Sequence, residues 1–406
     1  MCIRDRYYPG RGMQLQQLAS WGRVNAQLGV CTAPRKRTQQ DLVAAMGGGR
    51  KGPCPRAALR RALDGLVALG ARRDRFVAWE YYFSFGGGTP PWISGMTQGT
   101  AIQALARATR VFPERRRRFR RAAERGLGAF RAPPPVGIRV ASPGGSHYLM
   151  YSFSPGLRIL NGDLQAVTGL RDLSVLAGSR AARRLYVRGE RAARGAVGGF
   201  DTGAWSLYSQ NGRESTLSYH QLVGTFLGNL CRRTDRATYC SAHRRFVRYE
   251  HEPPRIRLAR LGGLRAERGA TLRFTLSKLS TVRVRVQSAH GVSLTRRMSV
   301  SRGTYTVPWT PARKGRYRVL IAAKGPSGPT GVRAATVNVR ISERAQRLRE
   351  ARRRAARQRA ARRRAAERRA ARRNKRRAPR QRASATVPQA SKPGISPLRK
   401  ESTKRR

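Results

Sequence analysis

The stretch Leu160-Asn161-Gly162-Asp163-Leu164-Gln165-Ala166-Val167-Thr168-Gly169-Leu170 sets apolar side chains at 160, 164, 167 and 170. Spacings of three and four stack side chains on one face of an α-helix and would scatter them over both faces of a strand. The same spacing recurs in Leu15, Leu18, Trp21, Val24 and Leu28, and again in Leu59, Leu63, Leu66, Val67 and Leu69. Ile102, Leu105 and Val111 repeat it, as do Leu222, Phe226 and Leu230. Gly/Pro-rich breaks separate these runs, among them Phe85-Gly86-Gly87-Gly88-Thr89-Pro90-Pro91 and Ala132-Pro133-Pro134-Pro135. About eight helices joined by turns are expected between Met13 and Glu250, arranged as antiparallel hairpins that curl into an α/α barrel or toroid.

The pattern changes at Glu252-Pro253-Pro254. Beyond it, Leu272-Arg273-Phe274-Thr275-Leu276, Val282-Arg283-Val284-Arg285-Val286, Tyr305-Thr306-Val307, Arg316-Tyr317-Arg318-Val319-Leu320-Ile321 and Ala335-Thr336-Val337-Asn338-Val339 alternate with period two. Five short runs of that kind between Gly/Ser/Pro turns predict an all-β, immunoglobulin-like sandwich. From Glu343 the chain is rich in Ala and Arg without an apolar stripe, which predicts a solvated helix, and after Pro379 its Ser/Pro/Lys content predicts disorder. The expected organisation is an α/α-barrel domain over 7–252, a sandwich over 255–342, an Arg/Ala helix over 343–378 and a disordered basic tail over 379–406. Met1-Cys2-Ile3-Arg4-Asp5-Arg6 reads as translated sequencing adapter joined to a fragment whose upstream region, with any secretion signal, is missing.

A chain of 406 residues has room for two domains and tails. Its formal net charge of +66 points to polyanions. Of the 86 basic residues 77 are Arg, a bias that a GC-rich genome produces at solvated positions. From Glu343 onward 26 basic residues face four acidic ones, so the tail holds about a third of the excess. The rest is spread along the folded part. No helix-turn-helix, zinc-finger or aromatic RNA-binding motif accompanies the charge, which excludes sequence-specific nucleic-acid reading as the leading class. Non-specific polyanion binding through the tail is expected, against the plainer alternative of a solvated charge run.

Cys31, Cys54, Cys231 and Cys240, with Cys2, form no Cys-x-x-Cys unit. Cys31 with Cys54 and Cys231 with Cys240 could close two local loops in an oxidising compartment; free thiols in a reducing one are the alternative. No apolar run reaches the length of a membrane span. Met46-Gly47-Gly48-Gly49-Arg50-Lys51-Gly52 lacks phosphate-loop spacing, the five histidines are too scattered for a metal motif, and no Gly-x-Ser-x-Gly elbow occurs.

Chemistry concentrates around tyrosine. Tyr148-Leu149-Met150-Tyr151 runs ten residues on into Asn161-Gly162, then to Asp201-Thr202-Gly203, Tyr208 and Tyr219-His220, with Trp92-Ile93-Ser94-Gly95-Met96-Thr97-Gln98-Gly99 upstream. In this order and approximate spacing the segment from about Trp79 to Glu250 resembles the C-terminal domain of the D-glucuronyl C5-epimerases. The resemblance implies a helical barrel with a cleft at one mouth and cofactor-independent inversion at C5 of uronic acid residues within an acidic polysaccharide. It assigns catalysis to Tyr151, Tyr208, Tyr219 and His220.

Such inversion needs a base on one face of C5, an acid on the other, and positive charge for the enolate-like intermediate. Tyrosine fits either proton role, with its pKa of about 10 lowered by neighbouring Arg. Tyr148, Asn161 and Gln98 are expected at the substrate. Arg158 and Arg213 are candidates for the uronate carboxylate, or are merely solvated, and Trp92, Trp205 and Tyr82 either stack on sugar rings or belong to the core. The segment departs from the family at Leu149 and Met150, where animal enzymes carry two acids. Two rival functions stay open: a uronate polysaccharide lyase and a non-catalytic cell-surface glycan-binding protein. Secretion or display at the cell surface is expected in each case.

Overall fold

The structure, a computed structural model, describes residues 5–32 and 54–377. The first four residues of the opening hexapeptide, the whole Met46–Gly52 glycine run and the chain from 378 onward lie outside the described residues.

Among the described residues eight α-helices precede the Pro253-Pro254 pair: α1 (Gln17–Thr32), α2 (Arg56–Ala68), α3 (Gly95–Val111), α4 (Arg116–Gly126), α5 (Leu160–Ala177), α6 (Arg180–Ala196), α7 (Leu217–Thr234) and α8 (Ala237–His251). Their ends follow local chemistry. Ser94, Ser179 and Thr216 accept the backbone N–H groups of Thr97, Ala182 and Tyr219, capping α3, α6 and α7. Gly178, in the left-handed region at φ 70°, closes α5.

Odd-numbered helices pack in sequence, α1 on α3, α3 on α5 and α5 on α7, while each even-numbered helix lies against its predecessor. This division follows composition. Nearly every residue of α3 and α5 is buried, whereas Arg-rich α4 buries only Phe119, Ala123 and Gly126. At the α3–α5 crossing a Cβ on Gly99 would stand 2.6 Å from the Cα of Ala166, and one on Gly169 would stand 2.1 Å from the carbonyl oxygen of Gly99. Only glycine admits that approach. The described helices thus make an open arc of four hairpins, with no closed barrel among the described residues.

Four short hairpins decorate the arc: β1 (Asp5–Tyr8) with β2 (Gly12–Leu15), β3 (Ala71–Arg73) with β4 (Phe76–Ala78), β5 (Glu80–Tyr81) with β6 (Trp92–Ile93), and β7 (Arg139–Ser142) with β8 (Gly145–Tyr148). The strand-rich region follows with β9 (Ile256–Leu258), β10 (Ala270–Leu276), β11 (Ser280–Ser288), β12 (Gly291–Val300), β13 (Gly303–Trp309), β14 (Gly315–Lys324) and β15 (Thr330–Val339). These form two antiparallel sheets, in the orders β13-β10-β9 and β12-β11-β14-β15. One core joins them: Leu272, Phe274, Val307 and Trp309 from the first sheet meet Val282, Val284, Val286, Val319 and Ile321 from the second. The alternation is strict in β11, where the valines are buried and Arg283 and Arg285 are exposed.

Both half-cystine pairs are disulfides, Cys31–Cys54 and Cys231–Cys240. The chain divides into two compact units after Val339. In the second, Ser342 accepts the backbone N–H of Ala345 and opens α9 (Glu343–Arg377), whose side chains from Gln346 to Arg373 are exposed. No described helix is long and apolar enough to cross a membrane.

Candidate active site

Tyr151 is placed by backbone pairing on both sides. Leu149 N–H donates to Ile138 O at 2.9 Å, Gly95 N–H to Leu149 O at 2.9 Å and Ser152 N–H to Ile93 O at 3.0 Å. The chain between β8 and α5 is thereby fastened to β6 and to the start of α3. A Cβ at Gly95 would lie 2.5 Å from Leu149 O, so this joint requires glycine. The Tyr151 ring sits among aromatics: Phe153 stacks on it at 5.3 Å, Phe85 lies at 5.7 Å, and Trp92 meets it edge-on at 5.8 Å. Trp92 is itself held by Tyr81, stacked at 4.1 Å, and donates its indole N–H to Phe83 O at 2.7 Å.

Tyr208 comes from the loop between α6 and α7. Its N–H donates to Arg213 O at 2.9 Å, Leu207 N–H donates to Phe200 O at 2.9 Å, and Ser209 bridges Ile159. Asp201 braces the loop by accepting from Gly203 N–H at 2.9 Å, from Tyr249 OH at 3.0 Å and from the Arg245 guanidinium at 2.8 Å. The hydroxyls of Tyr151 and Tyr208 stand 3.5 Å apart. Tyr219, in the first turn of α7 and 40% exposed, meets the Tyr208 ring edge-on at 4.9 Å. Three tyrosines 57 and 11 residues apart in sequence thus form one series running from a half-buried phenol to the surface.

Burial holds the Tyr151 phenol well above the usual tyrosine range, and its contact with Tyr208 adds to that. The expected lowering by arginine does not occur at Tyr151. Its resting state at neutral pH is the protonated phenol, a proton donor. The 3.5 Å contact also leaves no room for a sugar ring between the Tyr151 and Tyr208 hydroxyls, so these two do not stand on opposite faces of one C5.

Other expected site residues go elsewhere. His220 is fully buried, with Nδ1 2.8 Å from Ser206 Oγ and Nε2 2.9 Å from Phe246 O. A carbonyl only accepts, so the ring carries its proton on Nε2 and Nδ1 accepts from Ser206. It stacks on Trp205 at 3.7 Å, and burial lowers its pKa, keeping it neutral. His220 positions the Tyr208 loop and α7 and does not face the phenols. Trp205 is fully buried and gives its N–H to Ser215 O at 2.8 Å. Tyr148 is fully buried, its hydroxyl donating to Leu185 O at 2.8 Å and its ring seated where a Cβ on Gly189 would be. Gln98 spends both ends of its amide on the Trp79 backbone. Tyr82 is exposed and has no ring contact with the tyrosine series.

Asn161 is buried in the first turn of α5 with Oδ1 unpartnered. Arg158 donates to Ala141 O at 3.4 Å, and its carbonyl accepts Gln210 N–H at 3.0 Å, which ties it to the Tyr208 loop. Burial lowers its pKa, and nearby Asp163 opposes that. Arg213 is exposed on the same loop. Met150 is buried, packing against Gly162 and taking a weak hydrogen bond from Ser94 Oγ at 3.5 Å. Phe85 and Phe153 escaped the sequence reading. Their signal was Gly88, where a Cβ would stand 2.3 Å from the Phe153 ring.

Residues 73–248 match the family described as D-glucuronyl C5-epimerase C-terminus. The chain is 31% identical over 132 residues to the D-glucuronyl C5-epimerase of Caenorhabditis elegans, an alignment covering 29% of this chain and 21% of that protein. It therefore spans about a fifth of the length of the curated relative it matches. The family match holds all three tyrosines and excludes the strand-rich region and α9.

Proposed function

We propose that the protein is a cofactor-independent epimerase that inverts C5 of uronic acid residues, D-glucuronate to L-iduronate in type, within an acidic polysaccharide outside the cytoplasm. The observation that carries this reading is the convergence of Tyr151, Tyr208 and Tyr219 inside the family-matched segment. In the proposed reaction the C5–H bond breaks, its electron pair delocalises into the adjoining carboxylate, and a phenolate on one face takes the proton. Tyr151, neutral at rest, delivers a proton to the other face. Because Tyr208 touches Tyr151, Tyr219 is the phenol best placed to stand apart as the opposed group. A proton then returns to Tyr151 from Tyr208, and Tyr208 takes the proton that Tyr219 removed from C5, which regenerates the starting phenolate. Arg158, whose carbonyl is tied to the Tyr208 loop through Gln210, is assigned to the uronate carboxylate, while Arg213 on the same loop lines a cleft against the strand-rich region. His220 has a positioning role in this scheme.

The helical region over 7–252 is read as an α/α barrel, a reading supported by the odd-numbered helices packing on one another in sequence. The two sheets over 255–342 are read as an immunoglobulin-like module, and α9 with the tail beyond it as a polyanion contact. The disulfides suit secretion or cell-surface display. Incubation with uronate polymers in deuterated water tests the reading: deuterium at C5 without chain cleavage is expected, and an unsaturated, ultraviolet-absorbing product would assign a lyase. One observation favours a non-catalytic glycan binder instead, namely Met150 buried at the position of the family's acid. Binding without C5 deuterium in any polymer would establish that alternative.

A further inference from the structure

A cleft of about 680 Å³ lies where the Tyr208 loop meets the strand-rich region. One wall is Gly212, Arg213 and Glu214; the other is the end of β10 and the turn leading into β13, with Arg302, Gly303 and Thr304. Arg255 also lines it. Three guanidinium groups on exposed residues therefore border one opening. The single carboxylate in the lining, Glu214, is held by backbone, its Oε1 accepting Leu279 N–H at 3.0 Å and its Oε2 accepting Arg302 N–H at 2.6 Å, and it offsets one of the three charges. Thr275 and Thr304, cross-strand partners at the cleft, add hydroxyls. Leu276 is the only large hydrophobic residue among those lining the opening.

This chemistry suits a hydrated, negatively charged, hydroxyl-rich ligand. The cleft is also joined to the tyrosine series by a single hairpin, because Tyr208 N–H is bonded to Arg213 O and Leu207 bridges Glu214. A polymer lying across Tyr208 and Tyr219 has this basic cleft on the far side of the same hairpin. We infer that the cleft between the Tyr208 loop and the β10–β13 sheet is a distal subsite for the acidic polysaccharide, which holds the run of sugars flanking the residue at the tyrosines. The inference rests on the reading of the substrate as an acidic glycan, and on nothing about whether C5 is inverted.

The test is calorimetric titration with a glucuronate-containing octasaccharide and the matching tetrasaccharide, using the full chain and a Tyr151→Phe background. The octasaccharide is expected to bind at least tenfold more tightly than the tetrasaccharide in both. Arg302→Gln removes one charged donor and lowers octasaccharide affinity about tenfold. Tetrasaccharide affinity changes less than twofold. Thr304→Trp, which fills the opening from an exposed strand position, removes the length gain without removing charge. A neutral octasaccharide shows no gain. The inference is overturned if affinity does not rise with length, or if both variants, shown folded by their thermal transitions, bind the octasaccharide as wild type does. Length-dependent binding without C5 deuterium would sink the epimerase reading and leave the subsite standing.

Discussion

Replacing Tyr151 by Phe separates chemistry from structure at the centre of the site. The substitution removes one hydroxyl and keeps the ring among Phe85, Trp92 and Phe153. The hydroxyl's one hydrogen-bond contact in the structure is Tyr208 OH at 3.5 Å, the outer limit for an O–H···O bond. Half-exposed Tyr208 can satisfy its own hydroxyl with water. The structural loss is therefore under about 1 kcal/mol. In a domain of this size that moves the melting temperature by no more than about 4 °C. Loss of the proton donor has a far larger scale: general acid catalysis contributes about 10² to 10⁴ in rate, equivalent to about 3–5 kcal/mol of barrier.

The assay follows deuterium entry at C5 by nuclear magnetic resonance, alongside a thermal melt of the same preparation. The variant should keep its melt and lose at least about a hundredfold in exchange. Exchange within about threefold of wild type, with the fold intact, would refute the assignment of Tyr151 as proton donor. Tyr208→Phe and Tyr219→Phe belong in the same series. If all three phenols act in one relay, the double variants lose little beyond the worse single variant.

Four further outcomes follow from the surroundings of the site. His220→Ala removes two buried hydrogen bonds and the stack on Trp205, and should destabilise the fold by about 3 kcal/mol, read as a lowered denaturant midpoint. Because the folded His220 pKa lies below its ordinary 6.5, the unfolded chain binds the extra proton first on acidification; stability is full above about 6.5 and falls with pH below it, and His220→Ala should flatten that slope. Lys278→Met leaves the carbonyls of Tyr249 and Glu252 without their buried ammonium donor and should cost about 2–3 kcal/mol by chemical denaturation. Cys240→Ser opens the bridge that ties α7 to α8 and should cost about 2–3 kcal/mol in an oxidising buffer, with no difference from wild type once both are fully reduced.

The helices legible in the sequence are those that bury large aliphatic residues. Leu160, Leu164, Val167 and Leu170 mark α5 because a helix buried nearly all round cannot hide its period. Outer helices carry their contact stripe in small residues. In α6 the buried positions include Ala182, Leu185, Gly189 and Ala193 among arginines, and a search for large apolar side chains passes over them. The site divides on similar lines. Tyr151, Tyr208 and Tyr219 stand out in the sequence because a phenol is chemically specific and the family pattern orders them. The sequence groups His220 and Tyr148 with them, whereas the fold engages both with the carbonyls of Phe246 and Leu185, 26 and 37 residues away, partners that carry no sequence signal. Met150 reads in the sequence as a departure from the resemblance, and only the fold gives its destination, against Gly162 and Ser94.

The family-matched segment does not hold its own site alone. Four groups beyond residue 248 complete polar bonds that the helical region leaves open. Lys278, almost fully buried, donates to Tyr249 O at 2.6 Å and Glu252 O at 2.5 Å, where the last carbonyls of α8 lack intrahelical partners. A cation there also favours the negative end of the helix dipole, and the same ammonium stands 5.2 Å over the Trp205 ring on which His220 stacks. Arg255 donates to Gly203 O at 3.2 Å, and the backbone N–H groups of Leu279 and Arg302 hold Glu214. Trp205, Gly203 and Glu214 belong to the loop that presents Tyr208. Each fixes a different part of that loop to the strand-rich region, so the position of the Tyr208 hydroxyl relative to Tyr151 depends on two sheets that contribute no phenol to the series. The strand-rich region is therefore part of the machinery that aims Tyr208, and its loss would disorder the site even with every family motif intact.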